Sequence, residues 1–351
     1  MAPGSGNGDD GTPAPSTVDR PYVSVVLLCF DRRDFVLEAA RSVVGPSGLA
    51  RDVELLVLKN FVDPEIDAEL LRLGAKCPSV NGTYLGAWLA DASPKVRGEV
   101  LAFLDDDDVF LAEKLSIVRE EFRREPRLTY YHNAHTILGA AERTLGPVAP
   151  ATRTAVVGTR IAVTPGDRTG STLASLWRAG AAFNLSSIAV RRSVVEPCRS
   201  VLAEIQVSAS ACLYFLALGS PGALVADSRI LTGYRVHAEN ASGTTSISLD
   251  ERWSREIRRS PQTGHDCDVI LEYLTNRDAS RAIRRPVEVA RSRIRLLASV
   301  GAAPVSRVRV VLRMVELLWI SVPGYLRESR PYLRLGASAL RSGRRPGPAS
   351  G

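Results

Sequence analysis

Lysine and cysteine are both scarce in this chain of 351 residues. Only four lysines accompany 41 arginines, so part of the arginine excess is compositional. The five cysteines, at positions 29, 77, 198, 212 and 267, are odd in number, and no two stand at metal-ligand spacing. This argues against a cysteine-ligated zinc centre and predicts free thiols in a reducing cytoplasm.

Apolar stretches of membrane-spanning length are also missing. Residues 308–322 come nearest, but Arg309, Arg313 and Glu316 interrupt them, and the run is too short and too charged to cross a bilayer. Residues 1–20 are polar and rich in proline and glycine, which predicts a disordered tail. They contain no basic start followed by an apolar core, so they do not resemble a signal peptide. These features predict a cytoplasmic protein.

Strand-like and helix-like segments alternate in the first hundred residues. Three continuous apolar runs rich in β-branched residues are typical of strands buried on both faces. The strands are predicted at 22–30, 53–58 and 99–104, and the helices at 31–44, 64–75 and 84–93. Asp31 is placed to cap the first helix. The alternation predicts an α/β fold with a doubly wound, mostly parallel sheet.

Polar clusters follow all three predicted strands, in the segments "CFDRR", "LKNFVD" and "DDDD". Ligands bind at the carboxyl ends of the strands in such sheets, so these clusters are expected at one edge. Asp105 to Asp108 are four adjacent carboxylates, which repel one another unless a cation neutralises them. Carboxylate oxygens favour Mg²⁺ or Mn²⁺. A solvated acidic turn is the alternative.

The second half of the chain continues with further strands and one buried helix. Strands are predicted in "LTYYHNAHTIL" and "TAVVGTRIAVTP", a strand leading into a helix in "FNLSSIAVRRSVV", a buried helix in "SACLYFLALG" and two short strands in "ALVADSRILTGYRVH". His132 and His135 would point to opposite faces of a strand, so a shared ion is not expected. Asn133 between them is a candidate acceptor contact.

Three of these segments together resemble family 2 glycosyltransferases with the GT-A fold. They are "VSVVLLCFDRRDFVLEAARSV", "GEVLAFLDDDDVFLAEKL" and "LTGYRVHAENAS", and the resemblance spans about residues 22–243. It implies a glycosyltransferase domain over 21–245. A basic helical region is then expected over 246–345, with disordered residues at 1–20 and 346–351.

The resemblance implies a metal-dependent and inverting transferase. Such an enzyme moves a sugar from a nucleotide-diphosphate donor to a glycan or lipid-linked acceptor, with Mg²⁺ or Mn²⁺ as the cofactor. Carried over by motif, the metal site is expected at Asp105, Asp107 and His237, and the donor site at Phe30, Asp31, Lys59, Asn60 and Asp106. Lys59 and Asn60 replace an aspartate that the family usually places near the base.

A second departure concerns the general base. The family places a carboxylate before the buried helix, but this position falls on Ala211, between Ser210 and Cys212. Glu204 and Asp227 are the nearest acids and are the candidates for the base. The alternative is a degenerate GT-A domain that binds nucleotide-sugar or glycan without catalysis. A sugar-phosphate nucleotidyltransferase is disfavoured, since no glycine-rich loop follows the first strand.

Positive charge is concentrated at the end of the chain. Residues 281–351 contain fifteen arginines and three acids, a net charge of +12, which leaves −5 for the rest of the total of +7. This asymmetry suggests an anionic partner. With the resemblance, it favours the inner face of the cell membrane, where lipid-linked acceptors reside, and no nucleic acid is expected. The alternative is that these helices pack on the body and leave their arginines in water.

Overall fold

The structure is a computed structural model, and it describes residues 20–139, 160–236, 249–302, 304–321 and 325–342. The strands are β1 (Val23–Cys29), β2 (Val53–Lys59), β3 (Val100–Asp105), β4 (Val109–Phe110), β5 (Leu128–Gly139), β6 (Ile161–Val163), β7 (Ile188–Arg191) and β8 (Ala223–Val236). The helices up to residue 218 are α1 (Val36–Val44), α2 (Pro64–Arg72), α3 (Leu85–Ala92), α4 (Lys114–Arg124), α5 (Gly170–Arg178), α6 (Arg192–Val195), α7 (Arg199–Glu204) and α8 (Ala209–Leu218). Four more follow: α9 (Leu249–Asn276), α10 (Arg281–Gly301), α11 (Arg307–Ser321) and α12 (Leu326–Ser342).

The eight strands form one mixed sheet in the order β2-β1-β3-β7-β5-β8-β4, and β6 pairs with β8. The first three strands are parallel to one another, and so are β5 and β8. β7 runs antiparallel between β3 and β5. This arrangement confirms the predicted α/β fold class and the parallel order of the first three strands.

Both faces of the sheet are covered, which explains why its first strands are apolar throughout. Val25 and Leu27 of β1 pack with α1, α2 and α4, whereas the alternating Val26 and Leu28 pack with α3 and α8. Each fully buried valine or leucine contributes about 2 kcal/mol of hydrophobic stabilisation. The strand ends that carry the polar clusters are therefore held on a rigid support.

Two sequence predictions of local structure are wrong. α1 begins at Val36, not at residue 31, and its N-terminus has no side-chain cap. Asp31 has a positive φ of 61° instead, in the left-handed region that seldom begins a helix. The segment 223–236 is one strand, not two. Its register against β5 shifts near Asn133 and Ala134, so a bulge accommodates the polar residues that looked like a turn.

The C-terminal helices are continuous with the body of the protein. Ile270 and Leu274 of α9 and Val287 of α10 belong to the same buried cluster as β1 and α8. α11 and α12 join α10 in a second cluster that includes Leu296 and Leu317. Within the described ranges, every helix falls short of the length and apolar character that a membrane span requires.

Candidate functional site

Three strand ends meet where the sequence predicted a site. Cys29 of β1 pairs with Lys59 of β2, and Leu28 pairs with Asp105 of β3. The polar residues that follow each strand are therefore neighbours at one edge of the sheet. The backbone N–H of Asp106 donates to Leu28 O at 3.1 Å, which fixes the start of the aspartate segment against β1.

Arg32 closes the gap between the end of β1 and the aspartates. Its Nη1 donates to Asp107 Oδ2 at 2.7 Å, and its Nη2 pairs with Asp106 Oδ1. Asp106 Oδ2 also accepts from the backbone N–H of Phe30 at 3.2 Å. Both aspartates are almost fully buried, whereas 28% of the Arg32 side chain is exposed. The guanidinium thus covers two carboxylates from the solvent side.

The carboxylates remain under electrostatic strain despite Arg32. Burial, together with Asp107 and Asp106, raises the pKa of Asp105 to about 8. Burial, opposed by Arg32, raises the pKa of Asp106 to about 6. Burial and the charges of Asp107 and Asp105 also raise the pKa of Asp108 well above its usual range. Keeping these carboxylates ionised together is therefore unfavourable, and a bound cation would relieve that cost.

Arg235 of β8 binds the aspartate segment from inside the protein. It is fully buried, and its Nε donates to Asp107 O at 2.9 Å while its backbone N–H donates to Asp108 Oδ1 at 2.9 Å. Its Nη2 pairs with Glu38 of α1 at 2.8 Å, and its guanidinium lies 4.4 Å from the Phe35 ring centroid. One buried arginine therefore ties α1, β8 and the aspartates together.

Lys114, which follows the aspartate segment, is also fully buried. Its Nζ donates to Asn133 Oδ1 and Thr232 Oγ1, both at 2.9 Å, and to the backbone oxygen of Ser186. Burial, opposed by Asp108, lowers the pKa of Lys114 well below its usual range. Asn133 is enclosed in this network, so its predicted role as an acceptor contact is not supported by its position.

The predicted donor residues Asp31 and Asn60 form a reciprocal pair. The backbone N–H of Asp31 donates to Asn60 Oδ1 at 2.9 Å, and Asn60 Nδ2 donates to Asp31 Oδ1 at 2.7 Å. This pair accounts for the positive φ of Asp31. Phe30 is 41% exposed and rests on buried Trp88, with 5.4 Å between ring centroids. Phe30 therefore presents an exposed aromatic ring next in the chain to this pair, while its backbone N–H binds Asp106.

Lys59 turns away from these residues toward α2. Its Nζ donates to Phe61 O at 2.7 Å and forms an ion pair with Asp67 of α2 at 2.8 Å. Only 11% of the side chain is exposed. The structure thus engages Lys59 in a local contact, while its neighbour Asn60 faces Asp31.

A metal ion would find a partly prepared site in the aspartates. In the described part of the chain, no three or more histidine, cysteine, aspartate or glutamate side chains converge into a ready-made metal cluster. The Oδ2 atom of Asp108 is buried without a hydrogen-bond partner in the same part of the chain. Mg²⁺ and Mn²⁺ accept few protein ligands when they share a substrate's phosphates, so the donor set fits such an ion. His237 lies outside the described residues.

The region of the expected general base is filled by a structural carboxylate from α9. Ala211 lies in α8, and the backbone N–H groups that precede this helix bind the fully buried Asp266. Asp266 Oδ1 accepts from Gln206 at 2.8 Å, and Oδ2 accepts from Val207 and Ser208 at 2.9 and 2.8 Å. Three charge-assisted bonds cap the helix start. They leave Asp266 no open face toward a substrate.

The two candidate bases lie in different surroundings from the aspartates. Glu204 is exposed at the end of α7. Asp227 is buried, accepts from Tyr131 Oη at 2.9 Å and pairs with Arg229. Although burial acts to raise it, the bonds from Arg229 and Tyr131 hold the pKa of Asp227 below its ordinary value. The network continues from Arg229 to Glu121 of α4.

The two histidines of β5 are neutral and buried. Burial lowers the pKa of His132 to about 3 and that of His135 to about 4. Nε2 of His132 lies 2.9 Å from Phe183 O, and because a carbonyl only accepts, this nitrogen carries the proton. His135 packs against the rings of Phe183 and Tyr234. Among the described residues, neither histidine belongs to a group of three or more histidine, cysteine, aspartate or glutamate side chains that could hold a metal ion.

Several residues of the site carried no signal in the sequence. The sequence patterns predict no role for Arg32, Lys114 or Arg235, although each lies inside one of the three segments that resemble the family. Asp266 lies far along the chain from the helix that it caps. The one available clue to Arg32 is its place in "CFDRR", the polar segment that follows the first strand and is expected at the same sheet edge as the aspartates.

Comparison with known proteins supports the fold. No family model matches the chain, and no curated protein is significantly similar in sequence. Among solved structures, S. aureus TarS superposes with a TM-score of 0.53 at 12% identity, over 92% of this chain and 54% of TarS, so the chain spans about half of that protein. A mannosyltransferase from Pyrobaculum calidifontis, PcManGT, solved with GDP-Man and Mn²⁺, gives 0.52 at 13% identity over 93% and 89% of the two chains. The chain has the GT-A fold of nucleotide-diphospho-sugar transferases.

Proposed function

We propose that the chain is a glycosyltransferase that moves a sugar from a nucleotide-diphosphate donor to a glycan or lipid-linked acceptor, with inversion. The observation that carries this proposal is the convergence of three polar strand ends on a segment of four aspartates. The GT-A fold supports it, and so does the ligand of PcManGT, a nucleotide sugar bound with Mn²⁺. The degenerate, binding-only domain is the second candidate, and Ala211 is the observation in its favour.

The residues around the aspartates supply a donor site of matching chemistry. The exposed ring of Phe30 offers a flat apolar face on which a nucleotide base can stack. The Asp31–Asn60 pair, locked by two hydrogen bonds, holds polar groups beside that ring. Asp106 is held by a hydrogen bond from the backbone N–H of Phe30. We expect it to accept a hydrogen bond from a ribose or sugar hydroxyl.

A divalent cation, Mg²⁺ or Mn²⁺, would be held by Asp105 and Asp107, with His237 as a further ligand expected from the family pattern. When bound, it would neutralise the charge of the leaving diphosphate. Arg235 and the backbone N–H of Asp106 tie the aspartate segment to β8 and β1, which would position it for ligand binding. Arg32 supplies positive charge to the same carboxylates from the open side.

Acceptor activation requires a base other than Asp266. Glu204 is exposed at the end of α7, whereas Asp227 is buried and engaged by Arg229 and Tyr131, which lower its pKa. We therefore assign no base beyond the two proposed from the sequence and rank Glu204 above Asp227.

Turnover of a donor panel separates the two candidate functions. UDP- and GDP-sugars are incubated with the protein in Mn²⁺ or in EDTA, and released nucleoside diphosphate is measured by chromatography. An active transferase hydrolyses at least one donor slowly without acceptor, and EDTA abolishes the release. Binding of a donor without any release would support the binding-only domain, and neither binding nor release would overturn both.

A further inference from the structure

α11 has two apolar faces, of which only one is packed. Val310, Leu317 and Ser321 are buried against α10 and α12. Val308, Leu312, Val315 and Trp319 follow at steps of four, three and four residues, which places them roughly opposite the buried face at about 100° per residue. A helix that only packs on the body needs a single apolar face.

The outward face is strongly exposed. Val308 is 71% exposed, Leu312 64%, Val315 59% and Trp319 81%, and Val311 and Leu318 flank them at 45% and 43%. Single exposed apolar residues are ordinary, but six on one helical face form a contiguous patch. An indole ring that is largely exposed at the edge of such a patch suits the boundary between water and lipid headgroups.

Positive charge borders this face. Arg307 and Arg309 are exposed at the start of α11 on either side of the stripe, and Arg313 follows one turn later. Basic and apolar groups share one surface here. A depression of about 420 Å³ is lined by Val308, Arg309, Leu312 and Arg313. Glu316 pairs with Arg313 and Arg295, which leaves the local balance positive.

We infer that this outward face of α11 docks on an anionic lipid bilayer surface, with its apolar side chains at the acyl boundary and its arginines against lipid phosphates. The charge decides between this partner and a second copy of the chain. In a symmetric dimer, each copy would bring its own arginines to the same interface, where like charges repel. Anionic lipid neutralises them, and each engaged arginine strengthens binding about fivefold. The inference does not depend on the proposed transferase activity.

Vesicle flotation of the full chain tests this docking. The wild type is expected to float with phosphatidylglycerol-containing vesicles at low salt and to release at high salt. Replacing Val308, Leu312 and Trp319 together by serine, or Arg307→Glu with Arg309→Glu, should weaken partition at least tenfold. These side chains are exposed, so both variants should fold, which circular dichroism checks.

The matched control variants replace the same types of side chain at exposed positions outside α11. Val62→Ser with Leu71→Ser removes apolar side chains that are 82% and 74% exposed, and Arg51→Glu with Arg72→Glu makes the same change in net charge. Both controls should float like the wild type. Tryptophan emission should shift to the blue on vesicle binding, and Trp319→Phe should remove most of that shift.

Three results would overturn the inference. One is a wild type that stays in solution with anionic vesicles at low salt. Another is an equal loss of flotation in the control variants and the α11 variants. The third comes from analytical ultracentrifugation: a dimer that the serine variant converts to monomer, with flotation unchanged, would assign the face to a second copy of the chain.

Discussion

Arg32 Nη1 lies 2.7 Å from Asp107 Oδ2, in a bond that joins the end of β1 to the motif expected to bind metal. The same guanidinium pairs with Asp106. A cation at these carboxylates and the Arg32 side chain therefore compete for the same negative charge. Arg32 is partly exposed, so under the proposed function a divalent ion would compete with its side chain for these carboxylates.

Arg32→Ala is expected to strengthen the binding of Mn²⁺ in the absence of nucleotide. Removing one positive charge in contact with two buried carboxylates should raise the affinity about three- to tenfold. The measurement is a titration that follows the spectrum of free Mn²⁺ by electron paramagnetic resonance. Arg33→Ala is the control, because Arg33 is half exposed and pairs with Asp63 instead. Unchanged or weaker Mn²⁺ binding in Arg32→Ala would show that no competition exists.

Asp227→Asn should cost stability and leave donor turnover within about twofold. The substitution weakens the bonds with Arg229 and Tyr131 inside a buried network, at a cost of about 1–3 kcal/mol in the free energy of unfolding. Denaturant unfolding and nucleoside diphosphate release measure the two effects. Glu204→Gln removes an exposed carboxylate and should leave stability unchanged. Loss of turnover in Asp227→Asn at wild-type stability would instead identify Asp227 as the base.

His135→Phe should reduce the loss of stability that accompanies acidification. The folded pKa of His135 is about 4, below its unfolded value, so the unfolded chain binds more protons between these values. Its contribution to stability is present above the unfolded pKa and is lost as pH falls toward 4. Between pH 7 and pH 5 the variant should lose about 2 kcal/mol less of the free energy of unfolding than the wild type. Equal losses in both proteins would contradict the buried, neutral assignment.

The sequence was sufficient where one segment determines its own structure. The apolar, β-branched runs of β1 and β2 are typical of strands buried on both faces, so they predict a parallel sheet. Because ligands bind at the carboxyl ends of such strands, the aspartates are then expected beside the end of β1. Strand β5 and the buried helix α8 are likewise predicted from the apolar segments that form them. These predictions need no information about distant parts of the chain.

The rest depends on partners that are far apart in sequence. Asp31 has the composition of a helix cap, but Asn60, 29 residues later, offers it a better partner. Asp266 caps α8 across about 60 residues. The polar residues near Asp227 look like a turn in the sequence, but β5 pairs with the residues on both sides of them. α11 shows a broad apolar pattern in sequence, and only its packing reveals which face is left outside.

Donor binding by the aspartates is the central claim, and isothermal titration calorimetry tests it most directly. UDP- and GDP-sugars are titrated into the wild type with and without Mn²⁺, and then into Asp105→Ala with Asp107→Ala. Glu65→Ala with Glu120→Ala removes two exposed carboxylates elsewhere and serves as the control, and thermal unfolding checks that each variant is folded. The account predicts Mn²⁺-dependent binding of at least one donor by the wild type and the control, and its loss in the aspartate variant. Binding that is equal in all three proteins and indifferent to Mn²⁺ would contradict it.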